Sequence, residues 1–350
     1  MKICILSGSG TAAEMIVHTK TVLDAVCKVC YLTPELVLAK VSEEELQEGV
    51  PSHETVDLCR TSDAVLFTLQ KEGLFTQSYL DALRQKLGLF AMMRPIRIFP
   101  SALSCAVPKD SFVSEGADIL LVQEAFSAAS LLPEQGEKVI DGDLCAYDVL
   151  LSNSQTAQVT AQSAFQSAAK RNGKVIFTDL NDKMATASLR RRAANLAAAD
   201  HPEVTLDHLS GCETAAKLTR DPSSMDVVLA DPLLGDLLYT QGCALSGLPG
   251  VQSAAYFGYG KQGIYFNALP MEEAPRGTAC PASLILAMAM ALRHSMGLEW
   301  EAHCVEKAVA KVLSLGRTLD LPLPTLPTVS SSVFSAYVAQ TAAEYISSAE

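Results

Sequence analysis

MDVVLADPLLGDLL, Met225 to Leu238, puts a strand, a cap and a helix in immediate succession. Asp226 to Ala230 is a short β-rich run of the kind a buried strand needs. Asp231 then reads as an N-cap, because its side chain can accept from N–H groups that have no partner in a first helical turn. Leu233 to Leu245 continues as an apolar helical stretch.

The same strand-then-helix unit recurs on both sides. Lys2 to Ser7 is a first strand, and GSGTAAE, Gly8 to Glu14, turns from it into a helix reaching about Val26. Asp63 to Leu69, Asp118 to Val122, Lys174 to Thr178 and Val204 to His208 are further β-rich runs. Thr76 to Leu87, Gln155 to Arg171 and Asn181 to Ala198 read as helices among them, and Cys280 to Met296, Glu299 to Leu315 and Ser330 to Ser347 as helices of the C-terminal third. LPLPTLP, Leu321 to Pro327, is a stiff connector before the last of these. Alternation of this kind predicts an α/β fold with a largely parallel sheet. No linker or repeat marks a domain boundary.

Of the 350 residues, 49% are hydrophobic and 19% charged, enough to bury a large core. A net charge of -12 excludes a polyanion partner, since a phosphate backbone would be repelled. The one basic run, Arg190 to Arg192, points in several directions on a helix and reads as a solvated face. Pro281 to Leu292, the longest apolar stretch, is too short to span a bilayer. The N-terminus runs straight into a strand pattern without a signal-peptide layout, and ten scattered cysteines suit a reducing compartment, so a cytoplasmic protein is expected. Cys27 and Cys30 form a CxxC, but with no second pair and no thioredoxin-like setting they read as core thiols.

GSGTAAE also resembles a phosphate-cradling turn, with glycines for close backbone approach and a helix N-terminus behind them. It lacks the third glycine of a dinucleotide fingerprint and the Lys-Ser/Thr of a P-loop, so an ordinary βα turn fits it as well. The six histidines are too dispersed for a metal site, and His208 reads as structural.

Three stretches together carry a resemblance to the metal-dependent β-decarboxylating dehydrogenases of isopropylmalate, isocitrate and tartrate. They are LRQKLGLFAMMRPIRIFP (Leu83 to Pro100), MDVVLADPLLGDLL, and APRGTACPASLILAMAMALRHSMGL (Ala274 to Leu298). The resemblance implies an isopropylmalate dehydrogenase-like two-domain fold with a mixed sheet. Residues 1–98 and 252–350 would form one domain and 99–251 the other, with a cleft between them and an interlocked dimer through the second. It also implies NAD(P) and Mg²⁺ or Mn²⁺ as cofactors, the metal polarising hydroxyl and carbonyl oxygens and stabilising the enolate left by CO₂ loss.

Placed position by position, the family's site residues fall on a changed set. Of three substrate arginines, one is kept as Arg94, and the others fall on Ser104 and Gln123. The proton-handling tyrosine falls on Ser130 and the lysine on Leu180. Of three metal aspartates, Asp236 is kept while the others fall on Cys212 and Thr240. Six of eight positions have thus lost their chemistry, at about 10²–10⁴ in rate for each missing acid or base. The adenosine loop is contracted to Asn267–Pro281; Arg276 and Gly277 keep its second half, but Glu272 and Glu273 would set carboxylates beside a pyrophosphate.

Two readings follow. One is a catalytically silent homologue: a homodimer, or a heteromer with an active paralogue, that binds a small carboxylate in a pocket of Ser104, Gln123 and Ser130 around Arg94. In a variant of it Arg94 merely pairs with Glu124. The other is an enzyme with altered substrate and metal requirement, in which Lys183, one helical turn beyond Leu180, and Glu213, beside Cys212, supply a new base and carboxylate.

Overall fold

In the computed structural model, residues 1–40, 42–125 and 136–348 are described. The strands are β1 Lys2–Leu6, β2 Glu35–Leu38, β3 Ala64–Phe67, β4 Ala91–Ile98, β5 Ala117–Glu124, β6 Gly136–Ile140, β7 Asp143–Tyr147, β8 Lys174–Asp179, β9 Thr205–Ser210, β10 Val227–Ala230, β11 Ser253–Phe257 and β12 Gly263–Asn267. The helices are α1 Thr11–Val29, α2 Glu43–Glu48, α3 His53–Arg60, α4 Gln77–Lys86, α5 Asp110–Val113, α6 Ser154–Ala169, α7 Ala185–Asp200, α8 Gly211–Arg220, α9 Pro232–Leu245, α10 Ala282–His294, α11 Glu299–Leu313 and α12 Ser331–Ser347.

Ten strands join one sheet in the order β2-β1-β3-β12-β11-β4-β5-β10-β8-β9. Both wings are parallel, as crossover helices require, and three antiparallel contacts, β12 with β11, β11 with β4 and β4 with β5, make the centre. The sheet is therefore mixed, as the resemblance implies. The expected division after Ile98 falls between β4 and β5, where eight register pairs from Ala91↔Glu124 to Ile98↔Ala117 carry the sheet through without a break. Strands β6 and β7 stand apart as a two-stranded hairpin that exposes Val139 and Leu144.

The core is built on α10, whose residues Ala282 to Leu292 are all buried. Alanines alternate there with Leu, Ile and Met, so α1 and α11 can lie close on one side and the sheet on the other. Ser283 is the one polar side chain in that buried run, and a charged one there would be desolvated at high cost. Among the described residues no helix is long and apolar enough to cross a membrane. Cys27 is buried, which pushes its thiol up to about 11, and Cys30 is half-buried.

Strands β2, β4, β6, β7, β11 and β12 and helices α2, α3, α5 and α8 add to the elements expected from sequence. Helix α7 begins at Ala185 rather than Asn181, because Asn181 to Lys183 form a turn held by the Asn181 side chain accepting from Lys183 N at 3.0 Å.

Candidate functional site

Strand β4 places Arg94 on the sheet face covered by α9. Its guanidinium lies over the Tyr239 ring, 4.4 Å from the ring centre, and only 7% of the residue is exposed. Nη2 donates to Asp236 Oδ1 at 2.7 Å and to Gln123 Oε1. Gln123 Nε2 in turn donates to Asp236 Oδ1 and to the Pro232 carbonyl, each at 3.0 Å. Gly235 makes room for this: a Cβ there would lie 1.9 Å from Gln123 Oε1. Burial holds the Tyr239 phenol well above its ordinary pKa, and its hydroxyl donates to the Ser253 carbonyl at 3.1 Å.

The cluster thus joins three of the positions singled out in the sequence, Arg94, Gln123 and Asp236. It does not reach Ser104. Val107 N donates to Leu245 O at 2.9 Å, which sets the segment after β4 against the far end of α9. Leu245 lies nine residues beyond Asp236, or ~13 Å at the helical rise. Ser104 is exposed there, its hydroxyl beside the Cys105 sulfur at 3.8 Å. Ser130 lies outside the described residues. Nor does Arg94 pair with Glu124, which accepts from Arg190 Nε at 2.6 Å and from the Thr156 hydroxyl at 2.8 Å. β-strand alternation is the reason, since Gln123 and Glu124 point to opposite faces of β5.

Arg190 corrects the reading of the basic run as a solvated face. It is 6% exposed and bridges Glu124 and Asp231, the latter at 2.7 Å. Asp231 does cap α9 through Leu233 N at 3.0 Å, so one carboxylate serves both helix and arginine. Arg191 pairs with Asp179 at 2.8 Å, and Arg192 alone of the three is exposed.

Leu180, 49% exposed, follows the end of β8, so Lys183 does not share a helical face with it; the turn between them breaks the periodicity on which that placement rested. Lys183 is exposed. Glu213 is occupied too: it forms a capping box on α8, accepting from Ser210 N at 2.9 Å and Ser210 Oγ at 2.7 Å, and these bonds lower its pKa. The spacing Ser210-x-x-Glu213 is a sequence signal for that role. Cys212 is exposed on the same first turn, and Thr240 Oγ1 donates back to the Asp236 carbonyl at 2.9 Å.

Mg²⁺ or Mn²⁺ does not fit this donor set. Hard divalent ions take several oxygen ligands, mostly carboxylates, and the three positions that the resemblance gives to the metal carry one carboxylate, already bonded to an arginine, one thiol and one hydroxyl. The first βα turn does not suit a pyrophosphate either. At Gly10, φ +62°, the space a Cβ would fill holds the Glu273 carboxylate, and at Gly8 it holds the Gln70 amide. Glu273 Oε2 accepts from Thr11 N and Thr11 Oγ1, each at 3.1 Å. The chain's own carboxylate therefore takes the anion position at the α1 N-terminus. Glu272 pairs with Lys71 at 2.7 Å, Gly277 N donates to Glu14 at 2.9 Å, and Arg276 is exposed.

Comparison with known proteins matches residues 2–334 to the profile of the isocitrate/isopropylmalate dehydrogenases. The 3-isopropylmalate dehydrogenase of Oleidesulfovibrio alaskensis is 32% identical over 335 residues, covering 92% of this chain and 94% of that protein. That of Shouchella clausii is 29% identical over 347 residues, with 95% of each covered. Among solved structures, the apo β-decarboxylating dehydrogenase of Thermococcus kodakarensis superposes with a TM-score of 0.77 at 22% identity, covering 99% of this chain and 97% of that one. Isocitrate dehydrogenase of Methylococcus capsulatus gives 0.75 at 20%, with 99% of each chain covered. Whole-length sequence similarity and the ten-stranded mixed sheet agree: the chain is a member of the isocitrate/isopropylmalate dehydrogenase family.

Proposed function

We propose that this family member is a catalytically silent dimer that binds a small molecule or partners an active relative, and is not a working 2-hydroxy acid dehydrogenase. The observation that carries the reading is the Arg94–Asp236 ion pair. In the resemblance these two are the surviving substrate cation and the surviving metal ligand, and here each neutralises the other. Among the described residues Arg94 Nε is buried without a partner and Nη2 is taken by Asp236 and Gln123, so no fork is free there for a carboxylate. A carboxylate ligand would have to displace Asp236 to reach Arg94. The test is NAD(P)H production from isopropylmalate, isocitrate, malate and tartrate with Mg²⁺ or Mn²⁺ added. No turnover is expected, and a rate within about a hundredfold of an ordinary family enzyme would overturn the proposal.

The named activity of the relatives favours a second reading, an oxidoreductase with altered substrate and metal requirement. That reading needs a base, for which exposed Lys183 is the candidate. Turnover of any 2-hydroxy acid that disappears in Lys183→Met would select it. The dimer rests on apolar surface in the middle of the chain: Leu237 on α9 is 67% exposed and Leu144 on the hairpin 69%. Exposed leucines on these two elements are what a partner surface would cover. Light scattering at micromolar concentration is expected to give twice the chain mass, and a monomer would exclude the dimer.

A further inference from the structure

Alternation along β4 sends Arg97 to the sheet face opposite Arg94, into a groove of about 1050 Å³ between α6 and the α10–α11 pair. The floor is apolar, with Met93, Leu120 and Met290 among its residues. The α6 wall is uncharged along Gln158 and Ser163, and the facing wall carries Arg293. Across the mouth the walls meet in a solvent-exposed pair, Lys170 with Glu299 at 3.6 Å.

Two features point to an anion. Arg97 is 8% exposed, and although its Nη2 donates to Glu306 at 2.7 Å, its Nη1 is buried with no partner among the described residues. Glu306 is shared, since Arg293 also binds it through Nη1 and Nη2 at 2.7 and 2.8 Å. Glu306 thus serves two guanidinium groups, while Glu299 also pairs with Arg293 and Asp118 lies 4.0 Å from Arg97 Nε, so the unpartnered Nη1 is the position open to an anion. The lining as a whole carries five Lys and Arg against four Asp and Glu, in a chain whose totals are 27 against 39.

We infer that this groove is a binding site for a small amphipathic organic anion, its acidic head on Arg97 and its apolar body along Met93, Leu120 and Met290. The size is at the upper end of ligand pockets, and an apolar floor with few polar groups is their usual make-up. The site lies on the opposite face of the sheet from the Arg94 cluster, so it is independent of the proposed function.

The test is fluorescence titration of the full chain with anilinonaphthalene sulfonate, an aromatic sulfonate, followed by competition with octanoate and with octanol. Arg97→Met removes the cation while Arg293 still holds Glu306; Ser163→Trp fills the groove and leaves Arg97 in place. Both variants are expected to weaken dye binding about tenfold or more, the worth of a charge-assisted bond or of lost access. Octanoate is expected to displace the dye and octanol is not. If Arg97→Met loses its cooperative melt, Ser163→Trp carries the test alone. Unchanged affinity in either folded variant, equal displacement by octanol, or no saturable binding below about 1 mM overturns the assignment.

Discussion

Arg94 and Arg97 stand three residues apart on one strand, both nearly buried and both bonded to a carboxylate, yet their surroundings differ. The partner of Arg94, Asp236, is 50% exposed and stands at the start of a surface helix. The partner of Arg97, Glu306, is 15% exposed and holds a second arginine as well. Burial alone would raise the Glu306 carboxyl, but Arg97 and Arg293 outweigh it and hold the group down at about 2. A half-exposed carboxylate gives up little by losing its arginine, because water replaces it. A buried one shared by two cations cannot be removed without stranding charge in a low-dielectric interior. The same strand thus has a replaceable ion pair on one face and a structural one on the other.

The largest effect that would sharpen this contrast is in stability. Glu306→Ala is expected to cost about 3 kcal/mol by urea denaturation, near the low end for a broken buried pair because Arg293 keeps Glu299. Equal losses in Glu306→Ala and Asp236→Ala would erase the distinction.

The pH profile comes next. Burial, and then Arg293 beside it, lowers the His294 pKa to about 4, with Glu299 and Glu306 opposing and Lys170 adding to the shift. An unfolded histidine titrates near 6.5, so between pH 6.5 and 4 the unfolded chain takes up a proton that the folded chain refuses. Stability from this group is complete above pH 6.5 and is lost as pH falls through 4, to a limit of about 3 kcal/mol. Chemical denaturation at a series of pH values should show that slope in the native chain and a shallower one in His294→Gln. Parallel profiles would remove His294 from the account.

Smaller again is Asp236→Asn, expected to cost about 1 kcal/mol because half the side chain is in water. A loss as large as that of Glu306→Ala would mean that the Arg94 face is as closed as the other. The smallest is Glu273→Gln, which keeps an acceptor for Thr11 N but removes the charge at the α1 N-terminus; about 0.5 kcal/mol should be lost. A gain in melting temperature would show the carboxylate to be a strained occupant.

Short-range features were legible before any tertiary contact was known. The Asp231 cap, the strand ending at Ala230 and the helix starts near Thr11, Ser154 and Ser331 all follow from residues within a turn or two of each other. The candidate site was legible only in part. Arg94 and Asp236 could be singled out, but their mutual bond spans 142 residues and depends on β4 lying under α9. Lys183 was misplaced for a local reason, the Asn181 side chain that stops α7 from starting earlier.

What the sequence by itself determined is the alternation of strands and helices and the residue types at each site position. These depend on local periodicity and capping, which act over three or four residues. The fate of the charges was decided by the tertiary structure alone. Sheet order brings Glu124 and Asp231 to Arg190, turning a run that looks solvated into a buried bridge. Loop docking brings Glu273 across 262 residues to Thr11. An ion pair is set by distance and dielectric in three dimensions, and neither is written in the spacing of residues along the chain.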